Sequence, residues 1–250
     1  MKRIRILLVT TLIGLAASTA IAAPLPPNIA ASAADPKRAE SARSDVARHG
    51  PEIVAFADVK PGAKVVDLIP GGGYWTRLLA GAVGPKGHVY AIWPDEYVKV
   101  DGEEVAPYKQ VADLYPNVSI AQQPGTALSV PEKVDLIFTA QNYHDYPDKF
   151  MGHIDPAVLN RAAFAALKPG GIFLIVDHAA TAGSGMRDTD TLHRIDPAIV
   201  KRQVEAAGFK FVGESKLLAN PADDKTKNVF DKAIRGHTDQ FIYKFKKPYA

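Results

Sequence analysis

The sequence predicts an α/β protein built on a doubly wound, mostly parallel sheet of seven strands, with the last strand antiparallel to its neighbours. Three observations predict it. Short apolar runs of five to seven residues alternate with segments of helical periodicity, the pattern of a parallel sheet joined by crossover helices. One strand-like run ends in the turn VVDLIPGGGYWTRLLA, residues 65 to 80, which passes from an apolar run through Gly71, Gly72 and Gly73 into a helical pattern. The last two strand-like segments, FKFVGESKL and TDQFIYKFK, are separated by NPADDKTKNVFDKAIRGH. That stretch is too weakly apolar for a full crossover helix, which leaves the final strand able to reverse.

The elements follow in order. KVVDLI (64–69), HVYAI (88–92), VSIAQ (118–122), VDLIFTA (134–140) and IFLIVDH (172–178) read as buried parallel strands, and 209–217 and 238–246 complete the sheet. Helical spacing places helices at 74–83, 103–114, 155–167 and 197–207. Ahead of them, DPKRAESARSDVARHGPEIVAFADV carries helical spacing broken at Gly50-Pro51, which predicts two short helices joined by a turn.

Residues 1–22 read as a cleavable signal peptide. Lys2, Arg3 and Arg5 precede an apolar run from Ile6 to Ala17, and small residues end at Ala20-Ile21-Ala22. The run is too short for a comfortable membrane span, so no stable membrane insertion is expected after its removal. Residues 23–36, rich in Ala and Pro, read as an exposed arm, and 37–250 as a single domain.

The chain has 30 basic and 27 acidic residues, and three of the basic ones fall in the signal segment, so the remainder is balanced. Apart from the terminal KFKK there is no basic cluster, which argues against nucleic acid as a partner and for a small-molecule substrate. The absence of cysteine excludes disulfides and thiolate chemistry and suits an oxidising compartment. A periplasmic or secreted protein is expected; the oligomeric state is left open.

A glycine turn at the carboxyl end of a strand lets backbone approach a ligand and points helix N–H groups at it. The alternative is a tight turn that binds nothing. Around this turn lie AFADVKPGAKVVDLIPGGGYW, then ALKPGGIFLIVDH, VEAAGFKFVGES and TDQFIYKFKKP. In this order they resemble the class I S-adenosylmethionine-dependent methyltransferases, and more closely a group of exported predicted methyltransferases. The resemblance implies the Rossmann-like methyltransferase fold and S-adenosylmethionine as cofactor. It also implies that Asp67 orients the amino-acid end of the cofactor, directly or through water, with the backbone of Gly71, Gly72 and Gly73 packed against it. The family's first glycine is replaced by Ile69. Its ribose-binding acid falls at Trp93, with Asp95 and Glu96 just beyond, and its adenine-side acid at Thr126.

Methyl transfer needs an aligned nucleophile, a dry site and sometimes a base. Past the fourth and fifth strands the sequence offers QNYHDYPD (141–148) and VDHAA (176–180), so His144, Asp145 and His178 are the expected catalytic residues. His144 is the expected general base, enclosed by Tyr143 and Tyr146. Asp177 falls at the same edge, and each of these residues could instead cap a helix or satisfy buried backbone. Asp145 and Asp177 also match the places of Mg²⁺-binding carboxylates in some methyltransferases of this fold, but the adjacent histidines suit a hard cation poorly, and no metal is expected. His193 belongs to a polar loop able to line a substrate pocket. His49, His88, His153 and His237 read as surface residues.

The expected function is methyl transfer to a small-molecule or envelope acceptor outside the cytoplasm. The alternative is a methyltransferase-like binding protein without turnover. A nicotinamide oxidoreductase would need Gly-x-Gly-x-x-Gly and an acid ending the second strand, and neither is in register.

Overall fold

The computed structural model describes residues 24–249. Seven strands, β1 (Lys64–Leu68), β2 (His88–Pro94), β3 (Val118–Gln123), β4 (Val134–Ala140), β5 (Leu167–His178), β6 (Lys210–Ser215) and β7 (Gln240–Lys246), form one sheet in the order β3-β2-β1-β4-β5-β7-β6. The pairs β1·β2, β1·β4, β2·β3 and β4·β5 are parallel, and β7 runs antiparallel to both β5 and β6. The predicted fold class is the one observed. Strand order reverses between β1 and β4, and in such sheets the ligand crevice lies beyond the carboxyl ends of those two strands.

The helices are α1 (Pro27–Ala33), α2 (Asp45–Arg48), α3 (Gly50–Phe56), α4 (Tyr74–Val83), α5 (Asp95–Leu114), α6 (Pro156–Ala166), α7 (Thr189–Leu192) and α8 (Pro197–Ala206). Among the described residues, no helix is long and apolar enough to cross a membrane. Both faces of the central strands are covered, so Val65, Val66, Val89, Ile137, Phe173 and Ile175 are fully buried, which explains why these strands read as continuous apolar runs. Helices α6 and α8 each start at a proline behind an aspartate whose side chain accepts a backbone N–H, Asp155 from Ala157 and Asp196 from Ala198. Each cap satisfies a donor left over at the helix start, and the proline there has no donor to lose.

Three expectations are corrected. The arm is not free along its length: Pro26 and Pro27 open α1, whose Ile29 is fully buried. Asn28 donates to the carbonyls of Val59 and Ala82, and Ser32 donates to that of Leu78. A Cβ on Gly81 would lie 2.3 Å from the Ser32 hydroxyl, so this glycine makes room for α1 on α4. Helix α5 begins at Asp95, directly after β2, rather than at 103. Strand β5 begins at Leu167 and resumes full pairing at Ile172 after an irregularity opposite Val134 and Leu136, where KPGG reads in sequence as a turn. The signal peptide of residues 1–22 lies outside the described residues.

Candidate active site

The segment after β1 sets the first wall of the site. Ile69 has φ 55° and Gly71 φ 53°, while Gly73, the N-cap of α4, has φ 77°. A left-handed backbone is costly for a β-branched residue, and Ile69 holds it where the family has glycine. Its N–H donates to the Ile92 carbonyl, and its own carbonyl accepts from Asn142 Nδ2. Those two bonds tie the turn to β2 and to the end of β4. Across the crevice Gln141, just past β4, is also left-handed, with φ 65°.

A cleft of about 590 Å³ opens between these two strand ends, within the range of about 300–1,000 Å³ typical of small-molecule sites. Ile69, Gly71 and Gly72 line one side of it, His144, Asp145, His178 and His193 the other. Tyr97, Val100 and Phe150 contribute an apolar wall, and Tyr74 and Trp75 at the start of α4 contribute another. Among the described lining residues Arg48 is the one Arg or Lys.

The glycines divide into two kinds. A Cβ on Gly71 or Gly72 would meet nothing within 4 Å, so the backbone there faces open space. A Cβ on Gly73 would lie 2.8 Å from Val111 and 3.0 Å from Tyr108. Gly73 is therefore required by the packing of α5 and not by the cleft, which corrects its expected place against the ligand.

Asp67 is also displaced from the expected role. It is 1% exposed, accepts a 2.5 Å hydrogen bond from Thr76 Oγ1, and Thr76 in turn accepts from the Tyr108 hydroxyl. Burial pushes its carboxyl up to about 7, with the Thr76 bond opposing. It braces the turn from beneath. Trp93 is fully buried, its ring against Tyr97 and Tyr108, and so is core and not a base-stacking surface. Asp95 accepts from Gln122 Nε2, Glu96 accepts from the Gly125 N–H, and Thr126 is exposed away from the cleft lining. The acids past β2 are bound to β3 and its following loop.

On the opposite wall, Asp177 at the end of β5 is fully buried and organises both strand ends. It accepts from the backbone N–H groups of His144 and His178 and, at 2.7 Å, from His144 Nδ1. His144 Nε2 lies 3.1 Å from Asp145 Oδ1. Burial alone would lower the His144 pKa, but the Asp177 and Asp145 charges outweigh it and hold the ring protonated well above its ordinary range. The same pairing keeps Asp145 ionised against its own burial. The expectation of a free general base at His144 is thus corrected. Both ring nitrogens are engaged by carboxylates, and the residue positions Asp145.

His178 differs. Burial pushes its imidazole down to about 3, and Nδ1 is bonded to Thr238 Oγ1, so the ring is neutral. His193, just past α7 with φ 52°, brings Nδ1 to 3.9 Å from Asp145 Oδ1. Its ring packs against Phe230 at 5.0 Å. Sequence placed His193 in a pocket-lining loop without linking it to Asp145. It missed Phe230 altogether, although Val229-Phe230 is an apolar pair inside a largely polar connection. His88 is not a bare surface residue, since its Nε2 bonds the Ser119 hydroxyl.

No family model matches the chain. A ribosomal RNA large subunit methyltransferase E of Nitrobacter winogradskyi is 30% identical over 167 residues, covering 61% of this chain and 70% of that protein. The chain belongs to the class I S-adenosylmethionine-dependent methyltransferases. A ubiquinone/menaquinone biosynthesis C-methyltransferase of Shewanella sediminis is 29% identical, covering 70% of this chain and 67% of that one. Among solved structures, an S-adenosylmethionine-dependent methyltransferase from Aquifex aeolicus superposes with a TM-score of 0.58 at 19% identity, over 85% of this chain and 94% of that one. The [4+2]-cyclase SpnF superposes at 0.60 with 15% identity, over 82% of each chain, a likeness of fold alone.

The protein is accordingly a methyltransferase using S-adenosylmethionine, and the cleft fits that cofactor. The open backbone at Gly71 and Gly72 is a cradle that any side chain would fill, and the wall of Tyr97, Val100 and Phe150 suits a flat apolar group.

Proposed function

We propose that the protein methylates a small-molecule or envelope acceptor outside the cytoplasm, as a member of an exported group of these enzymes. The observation that carries this reading is that the Gly71–Gly72 cradle and the His144–Asp145–His178–His193 cluster line the same cleft. When bound, S-adenosylmethionine supplies an electrophilic methyl group on a sulfonium. Gly71 and Gly72 hold its amino-acid end through backbone, as the open space around them permits. The chain's remaining task is to seat the acceptor and handle its proton. Asp145 and His193 are the groups that meet the acceptor's nucleophilic atom, because His144 is committed on both nitrogens. Asp177 fixes the orientation of His144, and His144 holds Asp145 ionised toward the acceptor. The apolar walls keep water from the reacting centre.

A small acceptor suits a cleft with one Arg and no Lys among its described lining residues, since a nucleic-acid track needs several phosphate-binding cations. Export rests on the leader-like residues 1–22 and the absence of cysteine. Purified protein incubated with methyl-labelled cofactor and a cell-envelope extract is expected to place label in the solvent-extractable small-molecule fraction. Label confined to RNA would overturn the acceptor class. Intact-mass analysis of exported protein is expected to show cleavage after Ala22; retention of Met1 there would overturn the location.

A further inference from the structure

We propose that His144, Asp145 and His193 form a binding site for a divalent transition-metal ion, of which Zn²⁺ is the type, at the acceptor end of the cleft. One potential ligand atom from each residue lies within 4.8 Å of the other two. The distance from His144 Nε2 to Asp145 Oδ1 is 3.1 Å. Metal–ligand bonds of about 2.0–2.2 Å at tetrahedral angles separate neighbouring ligand atoms by roughly 3.3 Å, so this pair already stands close to the required spacing; the ion takes the place of the proton that His144 Nε2 holds against Asp145, and that proton is released to solvent on binding. His193 Nδ1, 3.9 Å from the same carboxylate oxygen, is the ligand that must close in. It follows α7 with its side chain 27% accessible and its ring between His144 and the exposed Phe230, so it closes in by a small turn against those two rings.

A second observation points the same way. His144 gives its other nitrogen to the buried Asp177 at 2.7 Å, the carboxylate–histidine arrangement that fixes a metal-binding imidazole in tautomer and direction. Asp177 is itself held by the backbone N–H groups of His144 and His178, so the support is rigid on the side away from the cleft. His178 lines the same cleft with its ring centroid 6.1 Å from that of His144. Its Nδ1 is taken by Thr238, and it stands beside the three converging ligands without being one of them.

The donor set selects the ion. Two imidazoles and one carboxylate suit Zn²⁺ and its first-row neighbours, whereas Mg²⁺ and Ca²⁺ prefer oxygen ligands throughout. Three protein ligands leave a coordination position open toward the cleft, the arrangement of a catalytic and not a structural site. An acceptor bearing a hydroxyl is the class that takes that position, since its oxygen both binds a divalent ion and becomes more acidic on it. The acceptor class rests on the proposed methyl transfer, whereas the ion site itself concerns only what the cluster binds.

The test uses the full chain, stripped with chelator and titrated with Zn²⁺ by calorimetry and with Co²⁺ by visible absorption. The expected result is one ion per chain. His193→Ala and Asp145→Asn are each expected to weaken binding by about 100-fold or more, and Asp177→Asn by about 10–100-fold. His193 is partly exposed, so its truncation leaves the fold intact, and a melting curve on the same sample verifies that. His237→Ala, an exposed histidine outside the cleft lining, is the control and should bind as wild type does. Absence of stoichiometric binding overturns the proposal, as does binding that survives both His193→Ala and Asp145→Asn. Loss of turnover in those two variants without any metal binding would overturn it too, and would leave the proton-handling reading in place.

Discussion

Asp67→Asn isolates the cost of a charge placed beneath the glycine turn. The carboxyl is fully enclosed, and burial raises its pKa from the ordinary 3.8 to about 7. Each tenfold change in a protonation equilibrium corresponds to about 1.4 kcal/mol. Holding Asp67 ionised in the folded state above pH 7 therefore costs about 4 kcal/mol relative to the unfolded chain. The sign follows from proton uptake. Between about pH 4 and pH 7 the folded state keeps a proton that the unfolded state has released, so this group's contribution falls as pH rises through that window and then levels off. Asparagine is close in shape and never ionises, and its amide oxygen can still accept from Thr76. Urea unfolding of wild type and variant across about pH 4 to pH 9 reads the difference. The variant should be equal to or less stable than wild type near pH 4 and more stable by up to about 4 kcal/mol near pH 8. A difference that does not change with pH would refute the assignment of a buried, protonated Asp67.

Gly73→Val should cost about 2–4 kcal/mol, because it strains a left-handed residue and drives a side chain into Val111 and Tyr108; thermal melting checks it, and an unchanged midpoint would contradict the packing. Asp177→Asn removes one of two carboxylates from the buried His144 and should destabilise by about 3–5 kcal/mol near pH 6. A raised histidine pKa contributes stability that is complete below its unfolded value near 6.5 and lost as pH rises through the folded value. The gap between wild type and Asp177→Asn should therefore narrow at alkaline pH, and a gap that widens would refute the charged His144. His193→Ala should lower turnover by about 100-fold with cofactor affinity little changed, measured by single-turnover transfer and calorimetry.

The sheet was legible because its central strands are apolar on both faces and so stand out as runs such as VDLIFTA and IFLIVDH. The reversal at β7 was legible because no helix-strength pattern separates it from β6. The start of helix α5 is not legible from apolar spacing, which begins at 103, although acids directly after Pro94, Asp95 and Glu96, mark a helix start. Helix α1 was hidden because an Ala- and Pro-rich segment shows its buried face only through Ile29 and Ser32. In the site, the histidines and aspartates past β4 and β5 were found by topology, since residues there face the crevice. Their pairing was not readable, because the 2.7 Å contact that links His144 to Asp177 spans 33 positions. Trp93 shows the same limit: its place in the motif suggested a ligand contact, while its burial depends on Tyr108 from a helix whose register the sequence does not fix.

The central claim, that the cleft beside Gly71 and Gly72 holds the methyl donor, is tested most directly with Gly72→Val. Gly72 lines the cleft, has no neighbour within 4 Å of a Cβ, and does not have a left-handed backbone, so valine there fills the cleft without disturbing the fold. Calorimetric titration of wild type and variant with S-adenosylmethionine, with melting curves on the same samples, is the measurement. The account predicts one cofactor bound per wild-type chain, and at least about 100-fold weaker binding by a variant that melts as wild type does, a loss of about 3 kcal/mol. Equal affinity in the two proteins would contradict it.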